Sequence, residues 1–209
     1  MFSLQTIFGK GDKFYGLLEA SAESARSSTK ALGELLSTPP SERSLEKFKQ
    51  ARRREKDLFR QISEELVNTF VTVLEREDIE ALNGALYKIP KVVEKFAERY
   101  AIASGRVGDV DFVNRAAMLE QACDVVGQMV AQLRNGMDLD KIKGLNDELQ
   151  AIEGEADRQI LELYKDAYAS ETDPMRYLIK KDLFEILEKA IDRCRDAGNV
   201  IYHIVLKNS

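Results

Sequence analysis

The residues best suited to chemistry are carboxylates near the C-terminal end. Between Asp182 and Leu206, Leu183, Leu187, Ala190, Cys194, Ala197 and Ile201 recur at three- and four-residue steps. That spacing gives a helix an apolar stripe facing a core. Glu185, Glu188, Asp192 and Asp196 lie roughly 140° to 220° from Leu183 at about 100° per residue, and Asn199 extends the strip. Glu188, Asp192 and Asp196 follow one another at four-residue steps, where like charges repel. A divalent or trivalent cation relieves that repulsion, and carboxylate oxygens suit hard cations such as iron, manganese or magnesium. The same strip also reads as a solvated face, with Lys189, Arg193 and Arg195 close enough to neutralise it. No ExxH pair accompanies it, so the di-iron bundle signature is missing.

A second acidic group, Glu153 and Asp157, borders the apolar seam formed by Leu145, Leu149, Ile152, Ala156 and Ile160. These two residues either face a neighbouring helix or make flanking salt bridges. Other candidates carry less. His203 is the only histidine, and no Ser or Cys has an evident base partner, so no catalytic residue is assigned. Gly9-Lys10-Gly11 lacks the spacing of a phosphate loop, and no cofactor-binding motif is found. Phe2, Phe8, Phe14 and Tyr15 read as docking the N-terminal arm on the core.

The elements that must position the carboxylates are helices. The first is expected over about Phe14 to Leu36, stopped by Thr38-Pro39-Pro40. The second runs from about Leu45 to Leu74, with Leu58, Ile62, Leu66 and Phe70 as its seam. The third begins near Asp78 and carries Pro90, where a kink or local break is expected. Gly105 and Gly108 bracket a turn. A fourth helix spans about Val110 to Leu133, ended by Asn135-Gly136, and a fifth spans about Leu139 to Ala169. Asp173-Pro174 opens the sixth, which runs to about Leu206. No strand alternation is evident.

The halves look like copies offset by roughly one hundred residues: Leu18-Glu19 matches Leu119-Glu120, Asp57 matches Asp157, and Asp78-Ile79 matches Asp182-Leu183. The expected fold is therefore all-α, with two tandem three-helix repeats, 1–106 and 107–209, forming antiparallel bundles. One four-helix bundle with two extra helices is the alternative arrangement.

The chain has 209 residues, 44% apolar and 32% charged, with a net charge of -5. An acidic chain with only Arg52-Arg53-Arg54 as a basic run excludes nucleic acid as the expected partner. No run of about 18 apolar residues is present to span a bilayer. Met1 to Gly16 lacks a secretory pattern. Cys123 and Cys194 sit in apolar helical patterns, so buried reduced thiols and a cytoplasmic location are expected.

Two segments resemble the acidic signatures of the PhoU-like family: Ile152-Glu153-Gly154-Glu155-Ala156-Asp157-Arg158, and the run from Leu187 through Asp192-Arg193-Cys194-Arg195-Asp196 to Ile201. Arg60-Gln61-Ile62-Ser63-Glu64-Glu65-Leu66 and Ile204-Val205-Leu206-Lys207-Asn208 resemble other parts of that family. The resemblance implies two tandem three-helix bundles and a role in regulating or assisting phosphate uptake. The implied partner is a phosphate transporter, commonly of Pit type, or a phosphate-signalling protein at the cytosolic face of the membrane. A homo-oligomer is also implied. The family's ExxxD and DxxxD patterns bind metal clusters, often iron. Carried over, the metal ligands are Glu153, Asp157, Glu188, Asp192 and Asp196.

The first half departs from this pattern. Arg53 stands where Glu153 stands, and Gly84, Lys88 and Val92 stand where Glu188, Asp192 and Asp196 stand, although Asp57 remains. Arg and Lys repel a cation. One metal site is therefore expected, in the C-terminal repeat, with Arg53 or Lys88 pairing with Asp57 in the other. The rival readings are a metal-dependent hydrolase or oxidase using the same carboxylates, and a metal-free interaction module.

Overall fold

The structure is a computed structural model that describes residues 4–107, 112–170 and 173–209, with side chains described for 13–107, 112–169 and 173–209. The expectations for Phe2, the Phe8 side chain, Gly108 and the start of a helix at Val110 lie outside the described residues. Among the described residues six long helices follow in order: α1 (Leu4–Ser37), α2 (Glu46–Asn68), α3 (Arg76–Val107), α4 (Val113–Arg134), α5 (Leu139–Ser170) and α6 (Pro174–Lys207). A single 3-10 turn, Pro40–Glu42, links α1 to α2. No strand occurs among the described residues.

Several boundaries follow from local chemistry. Asp173 caps α6, accepting from the backbone N–H of Met175 at 2.9 Å and of Arg176 at 3.3 Å. Pro174 occupies the first helical position, where its missing donor costs nothing. After α4, Gly136 adopts φ +102°, a left-handed conformation that glycine reaches without strain. Gly105, expected in a turn, lies inside α3. Helix α3 also runs through buried Pro90 without interruption, so no local break occurs there. Packing on both sides outweighs the backbone hydrogen bond that proline removes.

Helix α2 stops earlier than its apolar pattern implies. Thr69 leaves helical geometry, and Phe70, expected in the seam, is 93% exposed. The Arg76 guanidinium donates to the Thr69 carbonyl at 2.7 Å and also to that of Leu66, satisfying carbonyls that a longer helix would have used.

Four helices close a ring: α1 packs on α3, α3 on α6, α6 on α4 and α4 on α1. Helix α2 lies over the α1–α3 side and α5 over the α4–α6 side. Both arrangements considered from sequence are thus present together. Each half is a three-helix unit, and the halves share one four-helix core. Phe14, Ile62, Phe96, Leu119, Phe184 and Ile201 belong to a single buried cluster that crosses the repeat boundary. No described helix is long and apolar enough to cross a membrane.

Candidate functional site

The α5–α6 pair positions the acidic residues. Leu149, Ile152 and Ala156 on α5 and Leu183, Leu187, Ala190 and Cys194 on α6 are buried. Burying these stripes turns the flanking carboxylates of both helices toward one side. At Gly198 the helices approach so closely that a β-carbon there would meet Leu149 Cδ1 at 2.4 Å. Glu153, Glu188 and Asp192 are half-buried, and Asp157 and Asp196 are exposed.

The carboxylates act on one another. The carboxyl group of Glu188 is pushed up to about 7, first by desolvation and then by the negative charges of Asp192, Asp157 and Glu185. Asp192 is raised above the usual carboxylate range by desolvation, then by Glu153 and Asp157, against the opposing pull of Arg193. Asp157, Glu188 and Asp192 make no hydrogen bond or ion pair with any described residue. The other two are engaged. Arg195 lies 3.5 Å from Glu153, and Arg193 pairs with Asp196 at 2.5 Å. Among the described residues, no three His, Cys, Asp or Glu side chains are grouped tightly enough to hold a metal ion. Arg195 and Arg193 hold Glu153 and Asp196 in ion pairs of their own.

The donor set is all carboxylate oxygen, with Glu153, Glu188 and Asp192 half-buried and two of the five carboxylates, Glu153 and Asp196, already paired with arginines. Oxygen donors of this kind suit a hard cation in their chemistry, although as placed here they are not grouped closely enough to hold one. A surface cleft of about 410 Å³ opens beside two of them, Glu188 and Asp192, and is also lined by Ile160, Tyr164, Glu185, Lys189 and Arg193. Tyr164 was not anticipated. Its hydroxyl donates to Glu185 Oε1 at 2.8 Å, and burial followed by that carboxylate pushes the phenol up to about 12. The signal was available: Glu153, Asp157, Ile160 and Tyr164 continue one face at steps of four, three and four residues. Lys181 also pairs with Glu185.

Among the described residues of the first repeat, Arg53, Gly84, Lys88 and Val92 leave Asp57 without matching carboxylates. Asp57 does not pair with Arg53 or Lys88, as expected, but with Arg60 at 2.7 Å and Gln61 at 2.8 Å. The Arg60 hydrogen bond, then that from Gln61, holds Asp57 below the usual carboxylate range. One turn away on the helix, a neighbour three or four residues distant reaches Asp57 at less entropic cost than a side chain on another helix. His203 is exposed. Cys123 and Cys194 are free and buried, with their sulfurs 3.5 Å apart.

A protein of Rhizobium meliloti (strain 1021), provisionally named a pit accessory protein, is 22% identical over 201 residues, covering 94% of each chain. A PhoU-like protein of Shewanella oneidensis MR-1 superposes with a TM-score of 0.79, covering 93% of this chain and 99% of that one at 17% identity. This chain has the PhoU-like fold. A second PhoU-like structure from the same organism, provisionally described as a phosphate regulatory protein, gives a TM-score of 0.77 with the same coverage and identity. No protein-family model matches the sequence. The PhoU-like resemblance seen in the acidic segments therefore extends over nearly the whole chain, in the helices that carry those segments and in those that do not.

Proposed function

We propose that this PhoU-like chain is an accessory or regulatory protein of inorganic phosphate transport that works by binding rather than by turnover. End-to-end similarity to a pit accessory protein and to PhoU-like structures supports the transport role. In this reading the partner is a transport or signalling protein at the cytosolic face of a membrane, and the chain is cytoplasmic.

The chain carries a cation site between α5 and α6, with Asp157, Glu188 and Asp192 as its nucleus and Glu153 and Asp196 completing it. A bound cation such as iron supplies fixed positive charge at this surface. The reading rests on three carboxylates, Asp157, Glu188 and Asp192, that repel one another and form no ion pair with a described residue, with Lys189 and Arg193 opposing that repulsion only in part. The cleft is open to solvent rather than enclosed, which favours a binding or sensing role over an active site that excludes water.

Phosphate uptake in cells lacking the protein tests the transport role. Wild-type chain restores normal uptake, and Asp157→Ala with Asp192→Ala fails to restore it. Unchanged uptake on deleting the protein contradicts the role itself; full restoration by the double variant contradicts the part given to the cation.

A further inference from the structure

Where α6 meets α3 the balance of charge reverses. Lys189 and Arg193 face α3 across a groove of about 560 Å³, whose other wall holds Lys88, Lys91 and Lys95. All four lysines are exposed, and none forms an ion pair with a described residue. The chain as a whole is acidic, so this concentration of cations on one face does not follow from composition. Lys49 and Lys56 on α2 extend it, since both act on Glu94 at the groove wall.

Several features define what fits there. Lys88, Lys91 and Lys95 follow one helix face and span about 10 Å at 1.5 Å per residue. The groove lies between two packed helices, and Val92 and Ile186 form its apolar floor. A helix seats its side-chain ridge in such a groove, and carboxylates at three- and four-residue steps match the lysine row. A small phosphate finds none of its usual cradle. The groove lies along the middle of both helices, where backbone N–H groups are already used. Its one arginine is paired with Asp196. A bilayer presents a plane and cannot enter the concavity. Glu94 and Glu98 also line the wall. Glu94 is held by buried Arg52 at 3.4 Å, so the charge that remains along this wall is mainly that of the lysines.

We infer that the α3–α6 groove docks an acidic amphipathic helix from a partner protein, with Lys88, Lys91, Lys95 and Lys189 pairing with its carboxylates over the apolar floor. This surface adjoins the α5–α6 site, whose cleft Lys189 and Arg193 also line, while its row of lysines on α3 lies outside that site.

The test uses a fluorescent helical peptide with Glu at i, i+3 and i+7 spacing beside a leucine stripe, titrated with the full chain in EDTA so that the cation site plays no part. Wild type gives saturable binding that weakens as salt rises. Lys91→Glu with Lys95→Glu weakens it about tenfold or more, while Lys141→Glu with Lys143→Glu on α5 leaves it unchanged. Circular dichroism and melting confirm that both variants are folded. Equal binding by both variants overturns the inference, as does equal binding of a scrambled peptide of the same composition. So does tighter binding of tripolyphosphate or of phosphatidylglycerol vesicles than of the peptide. A wild-type dimer that Lys91→Glu with Lys95→Glu converts to monomer also overturns it, by making a second copy the occupant.

Discussion

Gly198 on α6 sits directly against Leu149 on α5, so close that any side chain at 198 would overlap the leucine methyl. The contact lies between the two helices that carry the acidic residues, with Asn146 and Met129 also within 4 Å of the same point. Gly198→Val is expected to destabilise the protein by about 2 kcal/mol through overpacking. Gly84 lies within α3 with nothing within 4 Å of its would-be β-carbon. Gly84→Ala is expected to stabilise by about 0.5–1 kcal/mol by restricting the unfolded chain. Chemical denaturation of both variants checks the contrast.

Glu188 links stability to pH. Its folded proton affinity lies above the unfolded value, with titration near 7. Between about pH 4.5 and 7 the folded state therefore holds more protons than the unfolded state, and stability falls as pH rises through that window. Glu188→Gln removes the penalty. In cation-free protein it is expected to raise stability at pH 8 by about 1 kcal/mol after allowance for solvent screening, with almost no effect at pH 4.5. Melting temperature against pH, in EDTA, is the measurement.

Arg195 holds α5 and α6 together at the acidic face. It donates to buried Asn146 Oδ1 at 3.0 Å and lies beside Glu153. Arg195→Ala is expected to cost about 1–2 kcal/mol, because it leaves a buried amide oxygen short of a donor and a half-buried carboxylate without its counter-charge. A double-mutant cycle with Glu153→Gln separates the charge part, which disappears once Glu153 is neutralised, from the part due to the Asn146 and Asn199 amide oxygens that Arg195 also donates to, which remains.

Much of this was legible in the sequence, for identifiable reasons. The stripe from Leu183 to Ile201 fixed both the buried face of α6 and the side on which its carboxylates lie, because helical period alone determines that geometry. Asn135-Gly136 and Asp173-Pro174 marked true boundaries, since turn and cap chemistry is local. The end of α2 was not legible. Phe70 continues the apolar spacing, and only Arg76, six residues beyond it, supplies the carbonyl partners that let the helix stop short. The Asp57 partner was misassigned because the sequence does not weigh an intrahelical neighbour against one across the bundle. The α3–α6 groove was invisible as well. Lys88 and Lys189 belong to different repeats, and only the four-helix ring brings them together.

Ser21 on α1 supports another buried charge. Its hydroxyl donates at 2.6 Å to Glu55 Oε1, and burial pushes that carboxyl above its usual range. Ser21→Ala is expected to destabilise by about 1–3 kcal/mol at pH 7. Glu55→Gln in the same background should recover part of the loss, because the neutral amide is less costly to bury. Paired urea titrations decide this.

Isothermal titration of metal-stripped protein with Mn²⁺, paired with elemental analysis of protein purified without chelator, tests the central claim most directly. The account predicts saturable binding in the wild type that is lost in Asp157→Ala with Asp192→Ala and retained in Asp57→Ala. Identical metal content and binding heats in the wild type and the α5–α6 double variant would contradict it, as would a loss confined to Asp57→Ala.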